Sequence, residues 1–360
     1  MNDRTINRRS FLKSTLLATP LLFSNPLAIA HARPIQVTDA GSTCLIKPPR
    51  LEFGDVVGIV APASPPSDLK DLDDHVAALI KLGFQPKLAP NVRQRLGFLA
   101  GTDQQRADDL MTMFADPEVK AIFCARGGYG AGRLLHLLDY DFIRRHPKIL
   151  VGFSDITSLH CALLTRARMV SFHGPTLNTS LTSDDPPTFV LRSLWKTIMT
   201  PAAAGSICDD YTQKTISILH GGVAHGRLVG GNLSVLVTTL GTPYQPPFKD
   251  NILFFEDVDE DPYSFDRMLT HLLNMGVLQQ VAGVAVGLNR YTKTPEEKKL
   301  NEYEQTTPEV LAEHLKPLGI PVVTGLPFGH VHFNATLPVG VQATLDGDMG
   351  DLIINEAAVT

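Results

Sequence analysis

From residue 54 the chain alternates short, continuously apolar runs with segments of helical periodicity, and no other feature narrows its possible folds so far. Val56 to Ala61 reads as a strand, Leu69 to Leu82 as an amphipathic helix, Gln104 to Phe114 as a second helix and Ala121 to Ala125 as a strand. Arg133 to Leu138 then reads as a helix, Ile149 to Phe153 as a strand, Thr157 to Arg166 as a helix and Val170 to His173 as a strand. Strands that are apolar along their whole length are buried on both faces. The pattern therefore predicts an α/β domain built on a parallel sheet with helices on each side. In such sheets ligands collect at the carboxyl ends of the strands.

Between Thr179 and Gln213 the character changes, with Ser183-Asp184-Asp185-Pro186-Pro187 and Pro201-Ala202-Ala203-Ala204-Gly205 flanking one helix-like segment. This places the N-terminal α/β domain at 51–185, a linker at 186–212 and a smaller α+β domain at 213–360. The second half has shorter apolar runs, Ile216 to Leu219, Ile252 to Phe255, Val281 to Val286 and Val322 to Thr324. It ends on alternating Val339, Val341, Ala343 and Leu345, the period of a half-buried antiparallel strand.

The first 32 residues stand outside this pattern. Asn7-Arg8-Arg9-Ser10-Phe11-Leu12-Lys13 carries the paired arginines of a twin-arginine export signal, and Ser14 to Ala30 supplies an uncharged apolar core. Pro20, Asn25 and Pro26 argue against a membrane span, so a periplasmic protein with no stable span in the mature chain is expected, preceded by an extension over 33–50. Removing residues 1–32 leaves 28 basic and 36 acidic residues, a net charge of −8, which disfavours nucleic acid and anionic membrane as partners. Cys44, Cys124, Cys161 and Cys208 have no metal-binding spacing, and Cys124 and Cys161 read as buried thiols.

Four short stretches carry candidate chemistry. In Gly152-Phe153-Ser154-Asp155 a buried strand delivers a serine to the ligand edge of the sheet, followed by a helix N-terminus with free N–H groups. The competing reading makes Ser154 or Asp155 a helix N-cap. The turn Arg126-Gly127-Gly128-Tyr129-Gly130-Ala131-Gly132-Arg133 lacks the Lys-Ser/Thr of a phosphate loop, but its backbone can approach a ligand closely. Glu256 ends an apolar strand, whereas Asp259, Glu260 and Asp261 read as a solvated turn without the spacing of an EF-hand. His330 and His332 could share one side of an extended segment, yet no third metal ligand stands at matching spacing. His160, six residues along the helix from Ser154, should point away from it.

Taken in order, Arg126 to Leu135, Gly152 to Thr157, Gly230-Gly231-Asn232-Leu233, Leu253 to Asp257 with Asp266 to Leu269, and Gly329-His330 resemble the motifs of the LD-carboxypeptidases, serine peptidases of family S66, over roughly residues 50–350. The resemblance implies Ser154 as nucleophile, Glu256 as triad acid and His330 as general base. It places a backbone oxyanion hole on Asp155 and on Gly127 or Gly128. It further implies two domains with the site between them, a homodimer, no cofactor, and a peptidoglycan peptide as substrate, cut between an L-centre and a terminal D-alanine. Arg126 and Arg133 are candidates for holding the terminal carboxylate, against the alternative that either simply pairs with a surface carboxylate. Two other functions fit parts of the pattern: a microcin-C-type self-immunity peptidase, and a non-catalytic periplasmic peptide-binding protein.

Overall fold

The computed structural model describes residues 44–183, 185–208, 212–289 and 305–360. The export signal at 1–32 and the extension as far as residue 43 lie outside them. Five strands, β1 (Val56–Val60), β2 (Gln85–Leu88), β3 (Val119–Cys124), β4 (Ile149–Gly152) and β5 (Ser171–His173), run parallel in the order β5-β4-β3-β1-β2. All of β4 and β5 is buried, as a sheet covered on both faces requires. Helices α1 (Leu69–Lys81) and α2 (Asp103–Ala115) each open on a capping box, Asp68 with Asp71 and Thr102 with Gln105, which fixes where each begins. The helix expected at 133–138 is a 3₁₀ segment, Ala131–Leu137, a tighter coil that suits its glycine-rich entry. After α3 (Tyr140–Arg145), α4 (Thr157–Ala162) continues as a π turn over Leu163–Ala167. The stretch read as a linker holds α5 (Thr188–Ile198) and β6 (Ala203–Ser206).

The second half forms β7 (Ser217–His220), β8 (Val223–Asn232), β9 (Ile252–Glu256), β10 (Gly283–Gly287), β11 (Val322–Leu326), β12 (Leu337–Val339), β13 (Gln342–Asp346) and β14 (Asp351–Ala357), with α6 (Leu233–Leu236), α7 (Pro262–Asn274) and α8 (Thr307–Leu315). Its mixed sheet has the order β6-β14-β13-β8-β9-β10-β11-β7, with β8 to β11 mutually parallel. The architecture is thus α/β in two parts, as expected, although the second part, with eight strands in its sheet against six in the first, is not the smaller one.

The sequence reading placed no element at β2 or α3, and two features of the second half also differ from it. The ten-residue strand β8 lies at the centre of the second sheet, where the reading placed none. Its glycines lower its strand propensity, but the fold needs them: a Cβ on Gly230 (φ +146°) would fall 1.7 Å from the Phe254 carbonyl oxygen. The alternating run at 339–345 is not one strand. Val339 belongs to β12, which pairs antiparallel with β5 in the first sheet, while Ala343 and Leu345 lie on β13 in the second. The chain crosses between sheets at Gly340, whose φ of +93° suits a residue without a side chain.

Candidate active site

β4 ends at Gly152, Phe153 stays extended, and Ser154 then takes a φ of +63°. A left-handed non-glycine residue costs on the order of 1–3 kcal/mol and persists only where its surroundings impose it. Here a 3₁₀ turn, Ser154–Ile156, joins the strand to α4. This is the strand-to-helix elbow that presents a serine hydroxyl at a sheet edge. Neither Ser154 nor Asp155 caps the helix with its side chain. Asp155 Oδ2 instead accepts from the N–H of Ala131 at 2.6 Å and so anchors the glycine-rich turn. Burial pushes the Asp155 carboxyl up to about 6, against the pull of that N–H and of Arg106.

The glycine turn packs directly on the serine. A Cβ on Gly127 would lie 2.9 Å from Ser154 Cβ, and one on Gly128 (φ +101°) would lie 2.4 Å from Ser64 Oγ. Ser64 clamps the turn: its N–H donates to Gly127 O, and its Oγ accepts from Tyr129 N–H at 3.1 Å. The buried Arg106 of α2 donates to the carbonyl of Gly130 at 2.9 Å and to that of Pro62. Among the described residues the N–H groups of Gly127, Gly128 and Asp155 donate to no protein acceptor. Unpaired N–H groups beside a serine hydroxyl are available to a developing oxyanion.

Glu256, the last residue of β9, is fully buried. Its Oε2 accepts from His330 Nδ1 at 2.6 Å and from the His330 backbone N–H at 3.2 Å. Gly329 (φ +104°) permits this approach, since a Cβ there would meet Glu256 Oε2 at 2.6 Å. Burial opposes charge on both partners, but each stabilises the other: Glu256 lies below the usual glutamate value and His330 above the usual histidine value. An ionised carboxylate only accepts, so Nδ1 carries the proton and Nε2 is left as the basic nitrogen. The Phe153 ring packs on His330 with centroids 4.7 Å apart, which places the imidazole beside the residue preceding Ser154. Among the described residues no hydrogen bond joins His330 to Ser154; such contacts often tighten only when substrate binds.

Arg133 forms a two-pronged pair with Asp103, Nε to Oδ1 at 2.9 Å and Nη2 to Oδ2 at 2.9 Å, as the surface-pair alternative expected. Among the described residues Arg126 reaches only Ser67 Oγ and the Pro65 carbonyl. His160 is fully buried, with Nδ1 at 2.8 Å from Ser171 Oγ and Nε2 at 2.8 Å from the Gly152 carbonyl oxygen, and burial holds it neutral by lowering its pKa to about 3. His332 is exposed, and among the described residues no cluster of His, Cys, Asp or Glu is arranged to hold a metal ion. Ser64 and Arg106 shape the site without having been read from sequence, and Asn232 and Asp257 entered there only as motif residues with no role. Asn232 Nδ2 donates to Asp257 Oδ1 at 2.9 Å, and its backbone N–H donates to Thr157 Oγ1, tying β8 to α4. The signal for Ser64 was its position just after β1, at the ligand edge of a parallel sheet.

The class to which fold and elbow together point is the serine-type hydrolases. Comparison with known proteins narrows it. The model of the LD-carboxypeptidase N-terminal domain matches residues 57–174, and that of the LD-carboxypeptidase C-terminal domain matches residues 225–345. A probable murein peptide carboxypeptidase of Bacillus subtilis is 40% identical over 303 residues, 83% of this chain and 91% of its own length. The crystal structure of muramoyltetrapeptide carboxypeptidase from Oxalobacter formigenes superposes with a TM-score of 0.72 at 31% identity, over 85% of this chain and all of that one. The wild-type microcin C7 self immunity protein MccF shares the fold, with a TM-score of 0.77 at 24% identity, over 88% of this chain and all of that one. The chain belongs to the LD-carboxypeptidase family and is a hydrolase.

Proposed function

We propose that this chain is a serine-type LD-carboxypeptidase that removes the C-terminal D-alanine from murein tetrapeptides, working in the periplasm as a homodimer. The observation that carries the reading is the left-handed Ser154, set against Gly127, with the buried Glu256–His330 pair packed on the neighbouring Phe153. His330 Nε2 takes the Ser154 proton as Oγ attacks the carbonyl carbon of the L-centre. The oxyanion settles among the N–H groups of Asp155 and the Gly127-Gly128 turn, each worth on the order of 3 kcal/mol to the barrier. His330 then gives its proton to the departing amine of D-alanine, and water, activated by the same imidazole, releases the acyl group from Ser154. Glu256 holds one tautomer throughout and stabilises the imidazolium. In this reading Arg126, which among the described residues no carboxylate engages, receives the terminal carboxylate of the substrate.

The test is to incubate the protein with murein tetrapeptide, free and disaccharide-linked, and to follow tripeptide and D-alanine by mass spectrometry. Release by wild type and none by Ser154→Ala is the expected result. Full release by Ser154→Ala would refute the mechanism. Cleavage of an aminoacyl sulfamoyl adenosine in place of the tetrapeptide would move the chain to the self-immunity function. Periplasmic export requires that Arg8→Lys with Arg9→Lys retain the protein in the cytoplasm, and sedimentation equilibrium decides the dimer.

A further inference from the structure

β5 ends on His173, whose ring is wholly buried between the two sheets. Three phenylalanines enclose it, and each stands one or two residues from a member of the triad proposed above. Phe153, with ring centroids 5.9 Å away, precedes Ser154. Phe254, at 5.4 Å, lies two residues before Glu256 on β9, and Phe328, at 6.4 Å, two residues before His330. Alternate residues of a strand share a face, so Phe254 and Glu256 project to the same side of β9 as it faces His173. A fourth phenylalanine would fill this apolar nest. A histidine is costly there unless its polar atoms have a task.

The neighbouring His160 shows how a buried histidine is satisfied structurally, with both nitrogens engaged by Ser171 and Gly152. His173 differs: among the described residues neither of its ring nitrogens has a partner. The second carboxylate oxygen of Glu256, Oε1, is likewise buried and makes no hydrogen bond of ordinary geometry among the described residues, although the Asn232 side chain is near enough to help hold the carboxylate ionised. Two buried groups of complementary chemistry, a ring N–H and a carboxylate oxygen, therefore look onto the same layer.

We propose that His173 is a positioning residue for the triad: as a neutral imidazole it donates a ring N–H to Glu256 Oε1 through one bound water, and thereby keeps Oε2 on His330 Nδ1. This rests on the triad reading above. The titratable groups facing His173 are His160 from α4, at 6.4 Å between ring centroids, Glu256 at the end of β9, and His330 from the loop after β11. Burial keeps the ring neutral, with a pKa of about 4, aided by His330 and opposed by Glu256. A donor on Oε1 draws charge from the carboxylate. Without it Glu256 would pull harder on His330, whose pKa would rise.

The experiment measures the rate at which a fluorophosphonate labels Ser154 across pH in wild type, His173→Phe and His173→Asn, alongside kcat and KM for D-alanine release and thermal unfolding. His173→Phe should fold, label about tenfold more slowly at pH 8, lose kcat rather than affinity, and show an acid limb about half a pH unit higher. His173→Asn, which keeps a donor, should recover part of both. A purely structural histidine would change the unfolding temperature alone, and a wild-type limb and labelling rate in His173→Phe overturn the proposal. Should neither variant fold, ring-nitrogen NMR of the wild type decides: one neutral tautomer from pH 5 to about 9 supports it, and a tautomer mixture or a cation overturns it. Labelling is independent of substrate, so wild type that labels but releases no D-alanine refutes the substrate reading alone. Wild type that does not label at Ser154 removes the triad and this proposal together.

Discussion

Glu256→Gln removes a charge and almost no volume from a fully buried position, and its effect can be worked from the geometry. The carboxylate oxygen lies 2.6 Å from His330 Nδ1, which puts the two charge centres about 4 Å apart once the imidazole is protonated in the transition state. At an effective dielectric of about 20 that attraction is ~4 kcal/mol. Lost entirely, it lowers the rate by ~10³. A carboxamide oxygen can still accept from both Nδ1 and the His330 backbone N–H, so the imidazole should keep its tautomer and the change should register as charge. The expected result is kcat for D-alanine release down ~10³ with KM within about threefold. The acid limb should also move. Catalysis needs neutral His330, whose pKa Glu256 raises, so activity falls as pH drops through that raised value; without the carboxylate the fall occurs at lower pH. Steady-state kinetics over pH, with unfolding curves to verify the fold, decide the matter. A loss below ~10-fold with an unmoved limb would refute the assignment of Glu256 as the partner of the base.

The remaining expectations are narrower. In wild type the acid limb of kcat/KM lies above the ordinary histidine value of 6.5, because the raised pKa of His330 governs it; a limb at or below that value would count against His330 as the base. Gly127→Ala places a methyl group 2.9 Å from Ser154 Cβ, and labelling of the serine should slow ~10²-fold while the unfolding temperature changes little. Gly231→Ala puts a Cβ 2.4 Å from Thr157 Oγ1 at a φ of +145°, and urea unfolding should show a loss of ~2 kcal/mol. Arg126→Ala should raise KM for tetrapeptide about tenfold at constant kcat, and unchanged kinetics would remove it from substrate binding.

The first sheet was legible because each of its central strands is a continuous apolar run, and the capped helices between them announce their own starts at Asp68 and Thr102. β8 was not, because its glycines answer to contacts with Phe254 and Thr157, which lie elsewhere in the chain. The same holds within the site. Ser154, Glu256 and His330 could be read from motifs, but the choice between a helix cap and an elbow turns on one dihedral angle that composition does not encode. Asp155 is the instructive residue: its side chain, a natural cap, is diverted to Ala131 by a turn whose position only the fold determines. Ser64 and Arg106 escaped notice because their work is to hold carbonyl and N–H groups of a distant turn.

The crossing of β12 into the sheet that leads to Ser154 has a mechanical consequence. The loop that carries His330 is a strap buckled at both ends, to β11 on one side and, through the Leu337–His173 pairing, to β5 on the other. A hinge between the two halves would have to unzip that buckle, so large opening motions are paid for in ladder hydrogen bonds. A chain severed between β5 and β6 would leave β5, wholly buried in the intact chain, as a raw sheet edge open to pairing with any other strand. The two halves are therefore one folding partnership, and the register of a single three-residue strand helps to set the spacing of Ser154 and His330.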